Sequence, residues 1–236
     1  MTEKPYRILR IPALNVACYL IYNQKEAILV DTTNKGSGTK VLDMLSDLGL
    51  QPSSLKLIVI THSHFDHAGS AREIKELTGA RVVVHRSDAD ELRNGYGPLP
   101  DGTRWKAKVL VALGRLFLKR LGRIPPVEPD IIVEDELDLN AYGFRGRVIH
   151  TPGHTDGSMV VCLDGGEVIA GDTVFGLKEK EIFPPFADDR QALLKSWERL
   201  LDMGAACFYP GHGRKVSREE LQNELPLAKI KYGKQI

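Results

Sequence analysis

The sequence predicts an α/β protein in which helices pack on layers of β-sheet. Two observations favour this class: short apolar runs of strand length alternate with segments whose apolar residues recur at helical spacing. Turn residues, mainly glycine, proline and asparagine, separate these segments. The chain of 236 residues is long enough for one large domain, or at most two small ones, and it has no fixed-period repeat.

The first half of the chain predicts strands that lead into a histidine-rich segment. The apolar run near the N-terminus, interrupted by Asn15, predicts a strand and not a signal peptide. The segment ACYLIYNQKEAILVDT predicts two strands joined by a polar turn at 23–26. Along the chain, these strands are followed by a predicted helix over 41–50, a buried strand over 55–60, a helix over about 68–78 and a strand over 81–85.

The second half predicts the same alternation. Strands are predicted at 147–149, 159–163 and 167–170, followed by a helix at 191–201 and a strand at 207–209. Strands that alternate with helices favour a layered α/β domain over an all-β or all-α protein.

Composition and charge limit the functional classes. The chain has 32 basic and 31 acidic residues, a formal net charge of +1, which gives no overall electrostatic reason to bind nucleic acid. No apolar stretch approaches the roughly 18 residues of a transmembrane helix. Cys18, Cys162 and Cys207 are odd in number and far apart, which favours reduced thiols in a cytoplasmic protein over disulfides or a thiolate metal site.

The stretch THSHFDHAGS, residues 61–70, places three of the seven histidines and one aspartate within six positions. If the period of the preceding strand continues, His62, His64 and Asp66 point the same way and His67 points elsewhere. On a helix, His62 and His64 would lie about 200° apart. The stretch is therefore predicted to be a loop at the carboxyl end of a strand, where open α/β sheets place their sites.

Imidazoles of this kind bind borderline metals such as zinc, but a short loop rarely completes a coordination shell. Further ligands are expected from distant positions. Three candidates, His154, Asp172 and His212, each follow an apolar run and lie beside glycine or proline, which predicts tight turns.

These motifs together carry a resemblance to a known family. The segment THSHFDH resembles the HxHxDH signature of the metallo-β-lactamase superfamily at every defined position. The segments HTPGHT around His154, GDTVF around Asp172 and YPGHG around His212 are similar to its remaining ligand motifs, in the same order. Asp31, at the end of AILVDT, looks like an aspartate that supports the site. The resemblance covers the chain from about Tyr19 to Gly213.

The resemblance implies an αββα sandwich of two similar halves, with a metal site at one edge between the sheets. It also implies a single domain over 1–236 that includes a helical insertion at about 96–129. In the implied ligand set, one metal is held by His62, His64 and His154, the second is held by Asp66, His67 and His212, and Asp172 bridges both. The two divalent ions are expected to be zinc, with iron or manganese as alternatives.

A small-molecule hydrolase is the expected function. Two metals can share a bridging hydroxide that attacks the substrate, and Asp66 could orient it or pass a proton to the leaving group. Antibiotic hydrolysis is disfavoured because those enzymes generally lack a bridging aspartate and are exported.

The GDTVF stretch is similar to glyoxalase II, although no separate C-terminal helical domain is evident. The stretch HSHFDHAG is similar to acyl-homoserine lactonases, although Phe175 stands where they commonly have tyrosine. The expected substrate is a small ester, thioester or lactone. A single-iron persulfide dioxygenase and a non-catalytic metal-binding scaffold remain alternatives.

Other residues receive less specific interpretations. His150 is expected to brace its loop by hydrogen bonds, not to bind metal. His85, at the end of a strand, could line a pocket or be packed elsewhere. Phe175, Phe183 and Phe186 could form an apolar pocket wall or belong to the core.

Residues 104–123 predict a basic amphipathic helix. The apolar residues at helical spacing are Trp105, Val109, Ala112, Leu113, Leu116 and Phe117. The segment has no acidic residue and seven basic ones, Arg104, Lys106, Lys108, Arg115, Lys119, Arg120 and Arg123. Such a helix could lie on a membrane surface, cover the active site, form a homodimer contact or be a solvated helix of its own domain. A lid or subunit contact is favoured, and its positive charge would favour an anionic substrate.

Overall fold

A computed structural model describes residues 5–117, 122–177 and 182–233. Two six-stranded sheets face each other, and helices cover their outer surfaces. The structure is therefore the αββα sandwich that the resemblance implies.

The first sheet is formed by the N-terminal half of the chain. Its strands lie in the order in which they occur: β1 (Arg7–Ala13), β2 (Val16–Tyr22), β3 (Ala27–Val30), β4 (Leu55–Val59), β5 (Arg81–His85) and β6 (Ile131–Val133). The helices of this half are α1 (Gly38–Asp47), α2 (Phe65–Ala68), α3 (Ala71–Thr78) and α4 (Arg86–Asn94). The sheet is antiparallel up to β3 and parallel from β3 to β6, because helices make the later connections.

Between the two halves lies α5 (Trp105–Phe117). The second sheet comprises β7 (Glu136–Asp138), β8 (Gly146–His150), β9 (Met159–Leu163), β10 (Glu167–Gly171), β11 (Cys207–Pro210) and β12 (Val216–Ser217). The helices of this half are α6 (Arg190–Asp202) and α7 (Arg218–Tyr232). Each half contains a parallel pair of strands joined through a single helix. These pairs are β3 with β4 through α1 and β10 with β11 through α6, so the halves are similar.

Alternate residues along the strands face different layers of the core. In β3, Ile28 and Val30 pack between the two sheets, whereas Ala27 and Leu29 pack against the helices of the first half. On the other side, Trp197 of α6 is fully buried against the second sheet. This period of two places both faces of each sheet in apolar surroundings and fixes the register of the strands.

Most predicted strands form close to their predicted positions, including 159–163, which is β9 without change. The segment broken at Asn15 forms two strands instead of one, with Asn15 in the turn between them. Three cysteines are free, and burial raises the pKa of both Cys18 and Cys162 to about 12, which keeps these two as thiols.

The predicted insertion is helical from Trp105, but residues 118–121, among them Lys119 and Arg120, lie outside the described part of the chain. The start of this helix is attached to the second half of the molecule: Thr103 donates its N–H to the carbonyl of Pro185 at 2.9 Å and its hydroxyl to that of Pro184 at 2.8 Å. Within the described ranges, no helix combines the length and apolarity needed to cross a lipid bilayer.

Candidate metal centre

The candidate residues meet at one edge of the sandwich. Asp31 follows β3, His62 follows β4, Asp172 follows β10 and His212 follows β11, so each leaves the carboxyl end of a strand. His154 lies in the loop between β8 and β9. The carboxyl ends of neighbouring strands meet at one edge, and residues far apart in sequence come together there.

The segment 61–70 is only partly a loop. His62 and His64 precede α2, and the backbone N–H groups of His67 and Ala68 both donate to the carbonyl oxygen of His64 at 2.9 Å. The expectation that Asp66 continues the strand period is therefore wrong, because Asp66 lies in the first turn of a helix. The first turn of α2 nevertheless places the Asp66 side chain beside His67 and His212.

Three groups of side chains bring their nitrogen or oxygen atoms within 4.8 Å of one another. They are His62 with His64 and His154, Asp66 with His67 and His212, and His62 with His67 and Asp172. The first two groups match the two sets that the resemblance implied. All seven predicted metal residues thus lie in one cluster of the structure.

Asp172 lies between the two sets. One of its carboxylate oxygens, Oδ1, is 3.2 Å from Nε2 of His67, and the other, Oδ2, is 3.5 Å from Nε2 of His154 and 3.6 Å from Nε2 of His212. On the first side, Nε2 of His154 lies 3.1 Å from Nδ1 of His64. The carboxylate can therefore contact both halves of the cluster.

Oxygen atoms hold the Nδ1 side of several imidazole rings. Nδ1 of His154 lies 2.9 Å from the carbonyl of Phe186, and Nδ1 of His212 lies 2.8 Å from that of Asn15. A carbonyl only accepts, so Nδ1 carries the proton in both rings. In the neutral rings Nε2 then presents a lone pair to the cluster, which is the tautomer that metal-binding histidines commonly adopt.

Asp31 holds two further rings in the same way. Its Oδ2 accepts from Nδ1 of His67 at 2.8 Å and from the hydroxyl of Thr61 at 2.9 Å. Because that hydroxyl donates to Asp31, it accepts from Nδ1 of His62 at 3.0 Å. Asp31 also accepts the backbone N–H of Thr61 at 2.8 Å. This is the supporting position that the resemblance implied for Asp31.

Burial and neighbouring charges shift the pKa values of the cluster in opposite directions. Burial lowers the pKa of His62 well below its ordinary value, lowers that of His64 to about 3 and lowers that of His154. Burial alone would also lower the pKa of His67 and His212, but nearby carboxylates raise both pKa values, and the carboxylate of Asp172 acts on both rings. Three histidines are therefore neutral near pH 7.

The two carboxylates of the cluster are ionised. Burial alone would raise their pKa values, but His212 and His67 outweigh it and hold the pKa of Asp66 and of Asp172 below the usual range. The centre thus combines buried carboxylates with several imidazole lone pairs.

The donor set fits divalent cations. Within the described residues, Nε2 of His62 and Nε2 of His64 are buried without a hydrogen-bond partner, and Nε2 of His67 and Oδ1 of Asp172 have only their mutual contact at 3.2 Å. Buried polar atoms without partners cost free energy, which a bound cation would relieve. Imidazole nitrogen and carboxylate oxygen are ligands that suit zinc and related metals. Gly211 leaves the necessary space, since a Cβ there would lie 2.5 Å from Cε1 of His67.

A buried carboxylate that the sequence analysis missed connects the two halves of the centre. Oδ2 of Asp88, in α4, accepts the N–H of Ser63 at 2.9 Å and lies 3.4 Å from the hydroxyl of Thr155, next to His154. Asp88 also accepts a bond from the backbone of Gly157, where a Cβ would lie 2.0 Å from Oδ1 of Asp88. No motif marked this residue, because its partners are 25 and 67 positions away.

Two predicted histidines lie outside these groups. His85 and His150 stack on each other with ring centroids 3.8 Å apart. Nε2 of His150 lies 2.7 Å from the carbonyl of Asp156, in agreement with a bracing role, and Nδ1 of His85 caps α4 by accepting the N–H of Ser87. Among the described residues, neither ring belongs to a group of side chains that could surround an ion, so the two form a packed pair beside the His154 loop.

The three phenylalanines have different environments. Phe175 stacks on the ring of His212 with centroids 5.0 Å apart and borders the centre. Phe183 stacks on Tyr232 and belongs to the core. Phe186 contributes its backbone carbonyl, which holds His154.

Comparison with known proteins agrees with this geometry. The family model described as the metallo-beta-lactamase superfamily matches residues 11–212. A probable metallo-hydrolase of Methanocaldococcus jannaschii is 30% identical over 83% of this chain and 86% of its own. A metallo-beta-lactamase family protein of Thermus thermophilus has a solved structure that matches with a TM-score of 0.67 and 28% identity over 96% of this chain and 80% of its own.

Other relatives are longer than this chain. The beta-lactamase-like protein 2 homolog of Drosophila melanogaster is 25% identical over 91% of this chain, which spans 61% of that protein. The hydroxyacylglutathione hydrolase of Pelagibacter ubique is 28% identical over 70% of this chain and 54% of its own length.

Proposed function

Since this chain belongs to the metallo-β-lactamase superfamily and is one of its hydrolases, we propose that it uses two divalent metals to hydrolyse a small ester, thioester or lactone. The observation that carries the proposal is the position of Asp172 between two sets of three side chains, all of which are buried except the half-buried Asp66. A single ion does not need both sets, whereas two ions would share this carboxylate.

We assign one ion to His62, His64 and His154 and the other to Asp66, His67 and His212, with Asp172 as a ligand of both. Zinc suits this donor set, and iron or manganese are the other candidates. When bound, the metals would polarise the substrate carbonyl and lower the pKa of a coordinated water towards neutrality.

The residues of the chain determine how a proton is transferred from the water to the leaving group. Hydrolysis adds the oxygen of water to the acyl carbon, breaks the bond to the leaving oxygen or sulfur, and delivers a proton to the leaving group. Asp66 is half-buried and ionised, with Oδ2 3.4 Å from Nε2 of His212. It is therefore placed to orient the water or to accept a proton and pass it on.

Two observations support an acyl substrate. The Pelagibacter ubique relative is named for a hydroxyacylglutathione substrate. In this chain, Phe175 provides an apolar ring beside His212, where an acyl chain could pack. We further propose that the substrate is anionic, because α5 with its basic residues begins next to the loop that holds His154. A cytoplasmic location also remains a prediction, and a homodimer formed through the helical insertion is the competing prediction for the exposed surface of α5.

The test is the metal content of protein purified without added metal, together with turnover of a thioester, a lactone and a simple ester. We expect two metals per chain and hydrolysis of at least one substrate class. The variant Asp172→Ala should lose most of the second metal. One tightly held iron per chain, with oxygen uptake on a persulfide, would instead support a dioxygenase and contradict the dinuclear hydrolase.

A further inference from the structure

The outward face of α5 carries an apolar stripe whose side chains are exposed. Trp105, Val109 and Leu113 recur every fourth residue, and 71%, 51% and 49% of their surfaces are exposed. Leu110, beside the stripe, is 61% exposed. On the opposite side, Ala107 and Val111 are buried, so the helix packs on its own protein through a different face.

This concentration of exposed apolar side chains is unusual for the molecule. Eleven large hydrophobic residues are exposed in the described ranges, and four of them lie on this one helix. Scattered exposed leucines need no explanation, but a contiguous apolar surface marks a contact with another apolar phase.

Basic side chains border the stripe. Lys106 and Lys108 are both exposed, and the helical rotation of about 100° per residue places them on opposite sides of it. The sequence from Arg104 to Arg123 contains seven basic residues and no acidic one. The complementary partner therefore has an apolar interior and a negatively charged rim.

An anionic lipid surface has both properties. A second copy of the chain that met this helix across a two-fold axis would bring the two sets of lysines together, which like-charge repulsion disfavours. As a cover for the metal centre the stripe would be buried over the site, whereas its side chains face solvent. Tryptophan and leucine on one face with lysine beside them are the composition of helices that lie in the lipid interface.

We propose that α5 docks the protein on the surface of an anionic lipid membrane, with the helix lying in the plane of the interface. Trp105, Val109 and Leu113 enter the boundary between headgroups and acyl chains, and Lys106 and Lys108 contact the headgroups. The proposal does not depend on the hydrolase assignment, because it concerns binding alone.

Docking would also place the metal centre close to the membrane. Gly102, just before α5, pairs with Phe186 in an isolated β-bridge, and the carbonyl of Phe186 holds His154. The lipid-facing helix and the candidate centre are therefore separated by only a few residues of described backbone. This last step, unlike the docking itself, rests on the proposed function: a substrate with an acyl chain would be drawn from the lipid phase.

The chain contains an internal reporter for the experiment. It has two tryptophans, of which Trp197 is fully buried in the core and Trp105 is exposed. The protein is mixed with phosphatidylcholine vesicles and with phosphatidylcholine vesicles that contain phosphatidylglycerol. We expect co-sedimentation with the anionic vesicles only, accompanied by a blue shift of tryptophan emission. The shift should be absent in Trp105→Phe, because the remaining Trp197 is buried in the core.

Two sets of variants separate the apolar and the electrostatic contributions to membrane binding. Val109→Ser with Leu113→Ser should weaken binding about tenfold or more, and Lys106→Gln with Lys108→Gln should weaken binding at low salt and reduce its salt dependence. The matched control is Leu227→Ser with Ile230→Ser, which changes exposed apolar residues of α7 and should leave binding unchanged. Thermal unfolding verifies that each variant is folded.

Three results would overturn the proposal. They are no binding of the unmodified protein to anionic vesicles at low salt, equal loss of binding in the α7 control, or a stable dimer that Val109→Ser with Leu113→Ser converts to monomers without any effect of vesicles. The last result would identify a second copy as the occupant of the stripe.

Discussion

At the scale of single residues, Asp31 fixes two rings of the candidate centre through one carboxylate. It is 2% exposed, and its backbone has φ of +62°, a conformation that L-residues seldom adopt. All seven members of the cluster were predicted, because imidazoles and carboxylates that follow apolar runs are chemically distinctive, whereas Asp31 was predicted only through the resemblance. The sequence did not predict the carbonyls of Asn15 and Phe186 that hold His212 and His154, because every residue type carries a backbone oxygen.

A pair of histidine variants tests the division between the cluster and its surroundings. His64→Ala removes a nitrogen that lies 3.1 Å from His154, and we expect loss of both metal retention and turnover. His150→Ala removes a ring that stacks on His85, and we expect near-native metal content. Elemental analysis of both proteins measures the difference; a metal-free His150→Ala protein would show that the brace is itself part of the site.

Glu91 provides a prediction for pH dependence. Burial raises the pKa of its carboxyl to about 7, although a hydrogen bond from the hydroxyl of Ser63 lowers it. The unfolded chain loses this proton near pH 4.5, so between pH 4.5 and 7 unfolding releases a proton and the folded state becomes less stable as pH rises. The variant Glu91→Gln has no carboxyl group at this position and therefore avoids this loss of stability.

We therefore expect Glu91→Gln to match the unmodified protein in stability near pH 4.5 and to exceed it at pH 8. The gain should be about 1–2 kcal/mol once solvent screening of this half-buried group is allowed for. Thermal unfolding at the two pH values measures it, and Glu76→Gln, an exposed glutamate paired with Arg72, is the control. A gain of equal size at both pH values would contradict the assignment of the penalty to this carboxyl.

At the scale of secondary-structure elements, two longer helices escaped prediction, in addition to the single turn of α2, for identifiable reasons. In α7 only Leu221, Ala228 and Tyr232 are buried, and Pro226 lies inside the helix, so the apolar period is weak. A signal was present at its start, where Ser217 and Glu220 form a capping box. In α4 the buried positions include the charged Asp88, which a search for apolar periodicity excludes.

The loops of the candidate centre depend on α4 through Asp88. Asp88→Asn replaces one accepting oxygen by a donor, which cannot accept from Ser63, Thr155 and Gly157 together. We expect metal affinity to fall about tenfold to a hundredfold, which is typical when groups that orient ligands are changed. Competition with a chromophoric chelator measures this affinity.

Asp130→Asn is the matched control for that measurement. Asp130 joins the N–H of Val82 to Lys75 outside the candidate centre, so its variant should lose stability without losing metal affinity. If both variants lose the same amount of metal affinity, the hydrogen bonds of Asp88 contribute only to general stability and do not orient the loops of the centre.

At the scale of the whole molecule, the candidate centre draws on both halves of the sandwich. His62, His64, Asp66 and His67 belong to the first half, whereas His154, Asp172 and His212 belong to the second. The layered fold followed from the alternation of strands and helices. The pairing of the two sheets did not, because the core cluster between them, which includes Val59, Val161 and Ile169, depends on surfaces that local sequence does not specify.

Metal removal should therefore reduce the stability of the entire molecule. A ligand that binds only the folded state adds about 4 kcal/mol when its free concentration is a thousand times its Kd. We expect the midpoint of thermal unfolding to fall after treatment with a chelator and to recover when zinc is added back. An unfolding curve that stays unchanged while activity is lost would show that the centre does not join the halves.

The division of the centre between the halves also has a consequence for biosynthesis. The ribosome completes the segment up to His67 well before it reaches His212, and at about 5–20 residues per second the interval is roughly seven to thirty seconds. During that time the nascent chain offers only an incomplete set of side chains, with weak and unselective affinity for metal. The metal would therefore be selected only after His212 has been synthesised, by the ions that the surrounding compartment then supplies.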